Sequence, residues 1–381
     1  MIRDLDPLLR ARGIGAVIVP MHESMHASFR WLSRGAKVTK GYAVKIVDRD
    51  PLLVTYPMER EEAKATGLEV QLVHDFVAKA PSTPDEYAHL FANILGDVDS
   101  VAFFGNAPVH LYVGIAEGLE RRGVRVHRSD GEDLIQLARK RKEPWEVEAI
   151  RSVGARTEDV VDGVRAMLRE ATPSLTLGDL KRFVSSEIAR LAMVEDHETI
   201  LSQGRDAGVP HSRGDATARV VPSSPIVLDI FPLDKTTGYF FDLTRTFCTG
   251  PIPDALQRMY DEVLEAFTRA RDAMRPGTRA ADYQALVCDY FEGRGHATLR
   301  SNPKTLNGYV HSLGHGVGLD IHEKPSFSLL QEDVVEEGDV LTIEPGLYYP
   351  ERGMGVRIED AFVVTGTGVE TLCRSGYGLR P

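Results

Sequence analysis

Four acidic residues stand in apolar surroundings, and this placement constrains the chain more than any other feature of its sequence. Ile226-Val227-Leu228-Asp229-Ile230-Phe231 is an apolar run with a carboxylate in its middle. Asp242 follows Gly238-Tyr239-Phe240-Phe241, Glu344 ends Val340-Leu341-Thr342-Ile343 before Pro345-Gly346, and Glu359 closes Val356-Arg357-Ile358. Short apolar runs bounded by turn residues read as buried strands. An ionised carboxylate carried into such a strand costs several kcal/mol unless a cation, a metal or strong donors meet it. The chain holds 56 Asp and Glu, so acidity alone carries no information and the setting of each acid decides.

Two of the strands, joined by the turn-like Asp234-Lys235-Thr236-Thr237-Gly238, are expected to place Asp229 and Asp242 side by side. Alternation along Val356 to Glu359 puts Arg357 and Glu359 on one face. An ionic explanation exists for two of the acids, with Arg245 for Asp242 and Arg357 for Glu359. It is less available to Asp229 and Glu344. Histidine supplies the missing ligand type. Three of the 12 fall in His311-Ser312-Leu313-Gly314-His315-Gly316-Val317-Gly318-Leu319-Asp320-Ile321-His322-Glu323, where glycines on both sides of His315 let neighbouring backbone approach. His211 sits on the loop Gly208-Val209-Pro210-His211-Ser212, while His197 and His296 read as surface or packing residues. Asp229, Asp242, His315, Glu344 and Glu359 form a hard, oxygen-rich donor set suited to two divalent ions of manganese, cobalt or zinc. Two such ions ~3.5–4 Å apart activate a shared water and polarise a carbonyl together, which points to metal-assisted hydrolysis.

The remaining sequence frames this site. A length of 381 residues predicts two domains. A net charge of −11 argues against nucleic acid or an anionic membrane as partner. Cys248, Cys288 and Cys373 are too sparse for a disulfide scaffold and fit a reducing compartment. The opening Met1-Ile2-Arg3-Asp4-Leu5-Asp6 lacks a signal-peptide run, and no stretch reaches membrane-helix length, so a cytoplasmic location is expected.

Residues 1–138 alternate strand-like and helical pieces: a helix over Leu5 to Arg12, strands at Ala16 to Val19 and Ser100 to Gly105, and a hairpin turning at Asp48-Arg49-Asp50-Pro51. They predict a smaller α/β domain ahead of an α+β domain over 139–381. The basic run Arg139-Lys140-Arg141-Lys142-Glu143-Pro144 is expected at the junction as a solvated linker. Ile150, Val153, Val160, Val161, Val164 and Leu168 then recur with the spacing of one long amphipathic helix. Pro173 to Ile188 can be laid over Pro276 to Phe291 without gaps, each copy a turn followed by a helix, which suggests two similar halves.

Five blocks in order resemble the pita-bread metallopeptidases, a family that includes methionine aminopeptidase, prolidase, aminopeptidase P and the metal-free creatinase. They are Leu228-Asp229-Ile230, Gly238-Tyr239-x-x-Asp242-Leu243-Thr244-Arg245-Thr246, the His311 to Glu323 segment, Thr342-Ile343-Glu344-Pro345-Gly346-x-Tyr348, and Gly355-x-Arg357-x-Glu359-Asp360. The resemblance is strong from about residue 140 onward, and residues 1–138 are similar to the creatinase-type N-terminal domain. It implies that Asp229, Asp242, His315, Glu344 and Glu359 ligate two metals, Asp242 and Glu359 bridging them. Glu344 would also carry the proton between the attacking oxygen and the leaving nitrogen. His322 would steady the oxyanion, His211 would lie near the scissile amide and His311 near the outer end of the substrate. Tyr348 and Arg357 would serve substrate binding and orient carboxylates. Two departures lie beside the site: Phe231-Pro232 stands where the family has glycine, and the aspartates are spaced more widely than usual.

The N-terminal domain disfavours a minimal methionine aminopeptidase. Arg357 resembles the proline-specific branch, and Gly316 after His315 favours prolidase, the dipeptidase that cleaves Xaa-Pro. The expected partner is a small peptide with proline second, and a homodimer is expected. Aminopeptidase P acting on Xaa-Pro-Xaa peptides is the alternative. A binding module of the same fold would have substituted ligands, whereas all five ligand types stand here. A basic loop holding Arg30, Arg34 and Lys37 is the candidate for gripping a dipeptide's free carboxylate.

Overall fold

The computed structural model describes residues 2–22, 25–128 and 131–381, and the chain divides into two compact units, Met1–Arg139 and Lys140–Pro381. In the first unit β1 (Ala16–His22), β2 (Lys40–Ile46), β3 (Leu52–Thr55), β4 (Glu69–Leu72), β5 (Ser100–Phe103) and β6 (Arg125–His127) form a sheet in the order β4-β3-β2-β1-β5-β6. The predicted hairpin is β2–β3, antiparallel, and Asp48 takes the left-handed φ of 66° that its turn requires. Val17, Ile18 and Val19 are fully buried, which explains an unbroken apolar run in place of alternation. Leu90, Phe91, Ile115 and Leu119, on helices Pro84–Leu95 and Val109–Glu120, pack on Ile18, Val44 and Val101.

The second unit opens with the helix Pro144–Arg169, started by Pro144 at its first turn and a reciprocal cap between Glu143 and Glu146. The six apolar residues that predicted it are all buried. The two copies of the repeat become the helices Leu177–Arg190 and Ala280–Glu292, which bury Leu180, Val184 and Ile188, and Tyr283, Val287 and Phe291.

Between and beyond these helices lie β7 (Met193–Val194), β8 (Ile200–Gln203), β9 (Pro225–Ile230), β10 (Leu233–Asp234) and β11 (Leu243–Cys248). They are followed by β12 (His315–Gly316), β13 (Glu323–Ser326), β14 (Val340–Ile343), β15 (Gly346–Tyr349), β16 (Met354–Arg357), β17 (Asp360–Thr365) and β18 (Gly368–Thr371). One sheet runs β11-β9-β8 and another β13-β12-β14-β17-β18, every pairing antiparallel. Ile226 and Leu228 are fully buried on β9, each contributing ~1.5–3 kcal/mol of apolar burial that holds Asp229 in place.

One expectation is corrected. The basic run is no solvated linker: Arg139, Lys140 and Lys142 are 3%, 9% and 8% exposed. The Lys140 ammonium donates to the Val334 carbonyl and the Glu336 carboxylate, each at 2.7 Å. Long basic side chains bury their stems when their charged ends find acceptors, and sequence alone does not show acceptors nearly 200 positions away. The expected hairpin between Asp229 and Asp242 is present: the Gly238 amide donates to the Asp234 carbonyl at 2.8 Å, the Asp234 amide donates to the Tyr239 carbonyl at 2.9 Å, and Leu233 bridges Phe240. β10 also pairs with β7, Asp229 faces Thr244 across the sheet, and Asp242 lies just before β11.

Candidate metal centre

The four acids converge from separate strands. Asp229 sits on β9, Asp242 precedes β11, Glu344 follows β14, and Glu359 lies between β16 and β17, where its backbone bridges to Thr244. His315 opens β12. Ligand atoms of Asp242, His315 and Glu359 all lie within 4.8 Å of one another. The His315 Nε2 is 3.6 Å from Asp242 Oδ2 and 3.7 Å from Glu344 Oε1.

Glycine makes that approach possible. A Cβ on Gly316 would stand 2.0 Å from the Lys324 carbonyl oxygen, and one on Gly314 would stand 2.1 Å from that of Thr342. The His315 Nδ1 lies 3.1 Å from the Gly316 carbonyl, which only accepts, so Nδ1 carries the proton and Nε2 turns its lone pair to the acids. Burial, reinforced by His322, holds the His315 pKa down at about 3, and the ring is neutral at pH 7. The two rings meet edge to face, 4.3 Å apart, and His322 remains exposed at the rim, as does His211.

Arg357 is the hub beneath the cluster. It donates to Asp229 Oδ2 at 2.5 Å, to the Tyr348 hydroxyl at 2.8 Å, to the Thr244 hydroxyl at 3.2 Å and to the Pro210 carbonyl at 3.2 Å. The last bond ties down the loop that carries His211. The Thr244 hydroxyl in turn donates a hydrogen bond to Glu359 Oε2 at 2.7 Å. Arg245 pairs with Asp360 at 2.7 Å. The ionic assignments therefore differ from those expected: Arg357 serves Asp229 rather than the Glu359 carboxylate, and Arg245 serves Asp360 rather than Asp242. Thr244 lies within the Gly238 to Thr246 block, but nothing local in the sequence marks it as the joint between Arg357 and Glu359.

His311 makes two hydrogen bonds within the protein. Its Nδ1 donates to the Ser312 carbonyl at 2.7 Å, and its Nε2 accepts from the Tyr348 hydroxyl at 2.9 Å. Burial, with the charge of Arg357, lowers its pKa to about 3. Both ring nitrogens are engaged inside the protein, and the ring props Tyr348, which is itself fully buried.

The electrostatics fit a cation. Asp229 Oδ1, Asp242 Oδ1 and Glu359 Oε1 are buried without a hydrogen-bond partner. Orphaned buried oxygens of this kind are rare and call for an ion. Burial first, then the neighbouring carboxylates, pushes Asp242 and Glu359 well above the usual carboxylate range. Burial likewise raises Glu344 to about 8, against the pull of Arg357. Neutral imidazole and hard carboxylate oxygens are the donors a divalent metal takes.

Known proteins agree with this picture. Residues 148–366 match the model of metallopeptidase family M24. The chain is 33% identical over 210 residues to a Xaa-Pro dipeptidase of Pyrococcus furiosus, a match spanning 54% of this chain and 57% of that protein. The match thus spans little more than half the length of that relative. The fold is that of a Xaa-Pro dipeptidase structure from Bacillus anthracis, with a TM-score of 0.84 at 23% identity over 100% of this chain and 98% of that one. It is equally that of an X-Pro aminopeptidase structure from Thermotoga maritima, at 0.80 and 23% over 97% and 98%. A family match over more than half the sequence, centred on the strands that bring these acids together, means that the chain belongs to metallopeptidase family M24.

Proposed function

We propose that this protein hydrolyses the Xaa-Pro peptide bond of dipeptides, using two divalent ions held by Asp229, Asp242, His315, Glu344 and Glu359. The observation that carries the reading is the set of three buried carboxylate oxygens without a donor, on Asp229, Asp242 and Glu359, two of these acids clustering with the neutral His315 imidazole. Family membership supports a peptide substrate, and relatives named Xaa-Pro dipeptidase support proline in the second position. The three cysteines are free and buried, which supports a reducing, cytoplasmic setting.

Bound metal would supply Lewis-acid polarisation of the scissile carbonyl and a water acidic enough to attack at neutral pH. The side chains do the rest. Arg357 fixes the orientation of Asp229, and Thr244 that of Glu359. Glu344 takes a proton from the attacking water and delivers it to the proline nitrogen as the C–N bond breaks. That nitrogen has no hydrogen of its own in the peptide, so the delivered proton is what makes it a leaving group. His322, exposed beside His315, donates to the developing oxyanion, and His211 faces the scissile amide from the loop that Arg357 anchors.

Likeness to an X-Pro aminopeptidase structure keeps longer peptides as the second reading. Rates on Xaa-Pro and Xaa-Pro-Xaa in defined manganese, cobalt and zinc separate the two. Dipeptide preference is the expected result, and cleavage of the tripeptide alone would make the protein an aminopeptidase.

A further inference from the structure

Residues 142–146, just before the segment matched by the family model, hold two buried polar clamps that the reaction does not account for. The Lys142 ammonium is ion-paired with Glu323 and donates to the Lys140 carbonyl at 2.9 Å; the paired side chains are only 2% and 1% exposed. Glu323 directly follows His322 and lies opposite Gly316 in the β12–β13 pairing, at the irregularity beside His315. Its carboxylate fills the space a side chain on Gly318 would take, with Oε1 2.2 Å from where that Cβ would be.

The second clamp lies one helical turn further on. Glu146, 3% exposed, accepts from the Tyr239 hydroxyl and from the Glu143 amide at 2.7 Å. Tyr239 belongs to the long excursion that ends in Asp242, and Trp145 packs edge-on against its ring. The two gripped segments are also tied to each other, since the Phe240 amide donates to the Gly318 carbonyl at 2.7 Å. One short stretch therefore holds the backbone behind His315 and His322 with one side chain and the backbone behind Asp242 with another.

We propose that Lys142 and Glu146 are positioning residues that fix the two histidines relative to Asp242, acting through Glu323 and Tyr239. This rests on the metal-centre reading above. A buried ion pair contributes little net stability against a neutral pair of similar shape, yet removing one partner strands a charge. What the pair gives instead is geometry, held on the His315 to His322 segment through Glu323.

The test uses the full-length protein with Lys142→Met, the double variant Lys142→Met with Glu323→Gln, and Tyr239→Phe. Lys142→Met alone should lower Tm. The double variant should regain the Tm, because no lone charge stays buried, while kcat on a Xaa-Pro dipeptide stays down about 10-fold or more with KM changed less than about threefold. Amide hydrogen exchange over 314–323 should remain faster than in the wild type. Tyr239→Phe, which loses a single hydroxyl, should weaken cobalt binding by about 10-fold, read by titration without substrate. Return of both kcat and exchange to wild-type values together with Tm would make the pair purely structural and overturn the proposal. Should the wild type cleave no Xaa-Pro peptide, the activity reading fails, and the exchange and cobalt measurements still decide the clamp.

Discussion

Arg357 spends one guanidinium nitrogen on Oδ2 of Asp229, at 2.5 Å, and leaves Oδ1 of the same carboxylate buried without a donor. The arginine therefore orients the acid without neutralising the cluster. Replacing it with leucine removes four hydrogen bonds, to Asp229, Tyr348, Thr244 and Pro210. Cobalt affinity measured by calorimetry should fall about 10–100-fold, as when other residues that orient metal ligands are lost. Arg357→Lys should recover little, because a single ammonium cannot reach the same acceptors in the plane of the fork.

Stability of the metal-free protein should fall as pH rises from 6.5 to 8. Glu344 has its folded pKa raised to about 8, so between its ordinary value and 8 the folded state holds a proton that the unfolded state has released. Asp242 and Glu359 are shifted in the same direction. His311 and His315 are both lowered to about 3, so their stabilising effect grows from pH 3 to 6.5 and is complete above it. Above 6.5 only the carboxylates slope, by up to about 1.4 kcal/mol per pH unit for each proton held. Thermal melts in chelator check the sign, and a Tm that rises over this window would contradict it.

Metal binding should release protons over the same range. Calorimetry in two buffers of different ionisation enthalpy measures the number. A value near zero at pH 7 would mean that the acids are already ionised without metal, against the raised carboxyls of Asp242, Glu344 and Glu359.

His315 and His322 should separate metal from chemistry. His315→Ala takes away a proposed metal ligand and should empty the site, as read by elemental analysis. His322→Ala leaves the cage and should keep full metal content while kcat drops about 10²-fold or more, the loss expected for an oxyanion donor.

Thr244→Val keeps the shape of the side chain and deletes the hydroxyl that receives Arg357 and serves Glu359. Leaving those buried groups short of a partner should cost about 1–3 kcal/mol in denaturant unfolding. The slope of the transition should not change, since the surface exposed on unfolding is the same.

Much of this site was legible in the linear sequence because its signals are local. An acid inside Ile226 to Phe231 is improbable in a core without a purpose, and a histidine between two glycines announces close backbone approach. The long helix and the paired turn-helix units were legible for the same reason, since their spacing is set within a few turns.

The pairing of charges was decided by the tertiary structure. Arg357 sits two residues from Glu359 yet meets Asp229, 128 positions away, and Arg245 passes over Asp242 to reach Asp360. Lys142, in a run that reads as a solvated linker, is buried against Glu323, 181 positions on. Strand register and the packing of distant segments choose such partners, and neither is encoded in the neighbourhood of the residue. The sequence by itself determined that these acids must be met by positive charge; only the folded chain determined which acid meets an arginine and which oxygens are left for a metal.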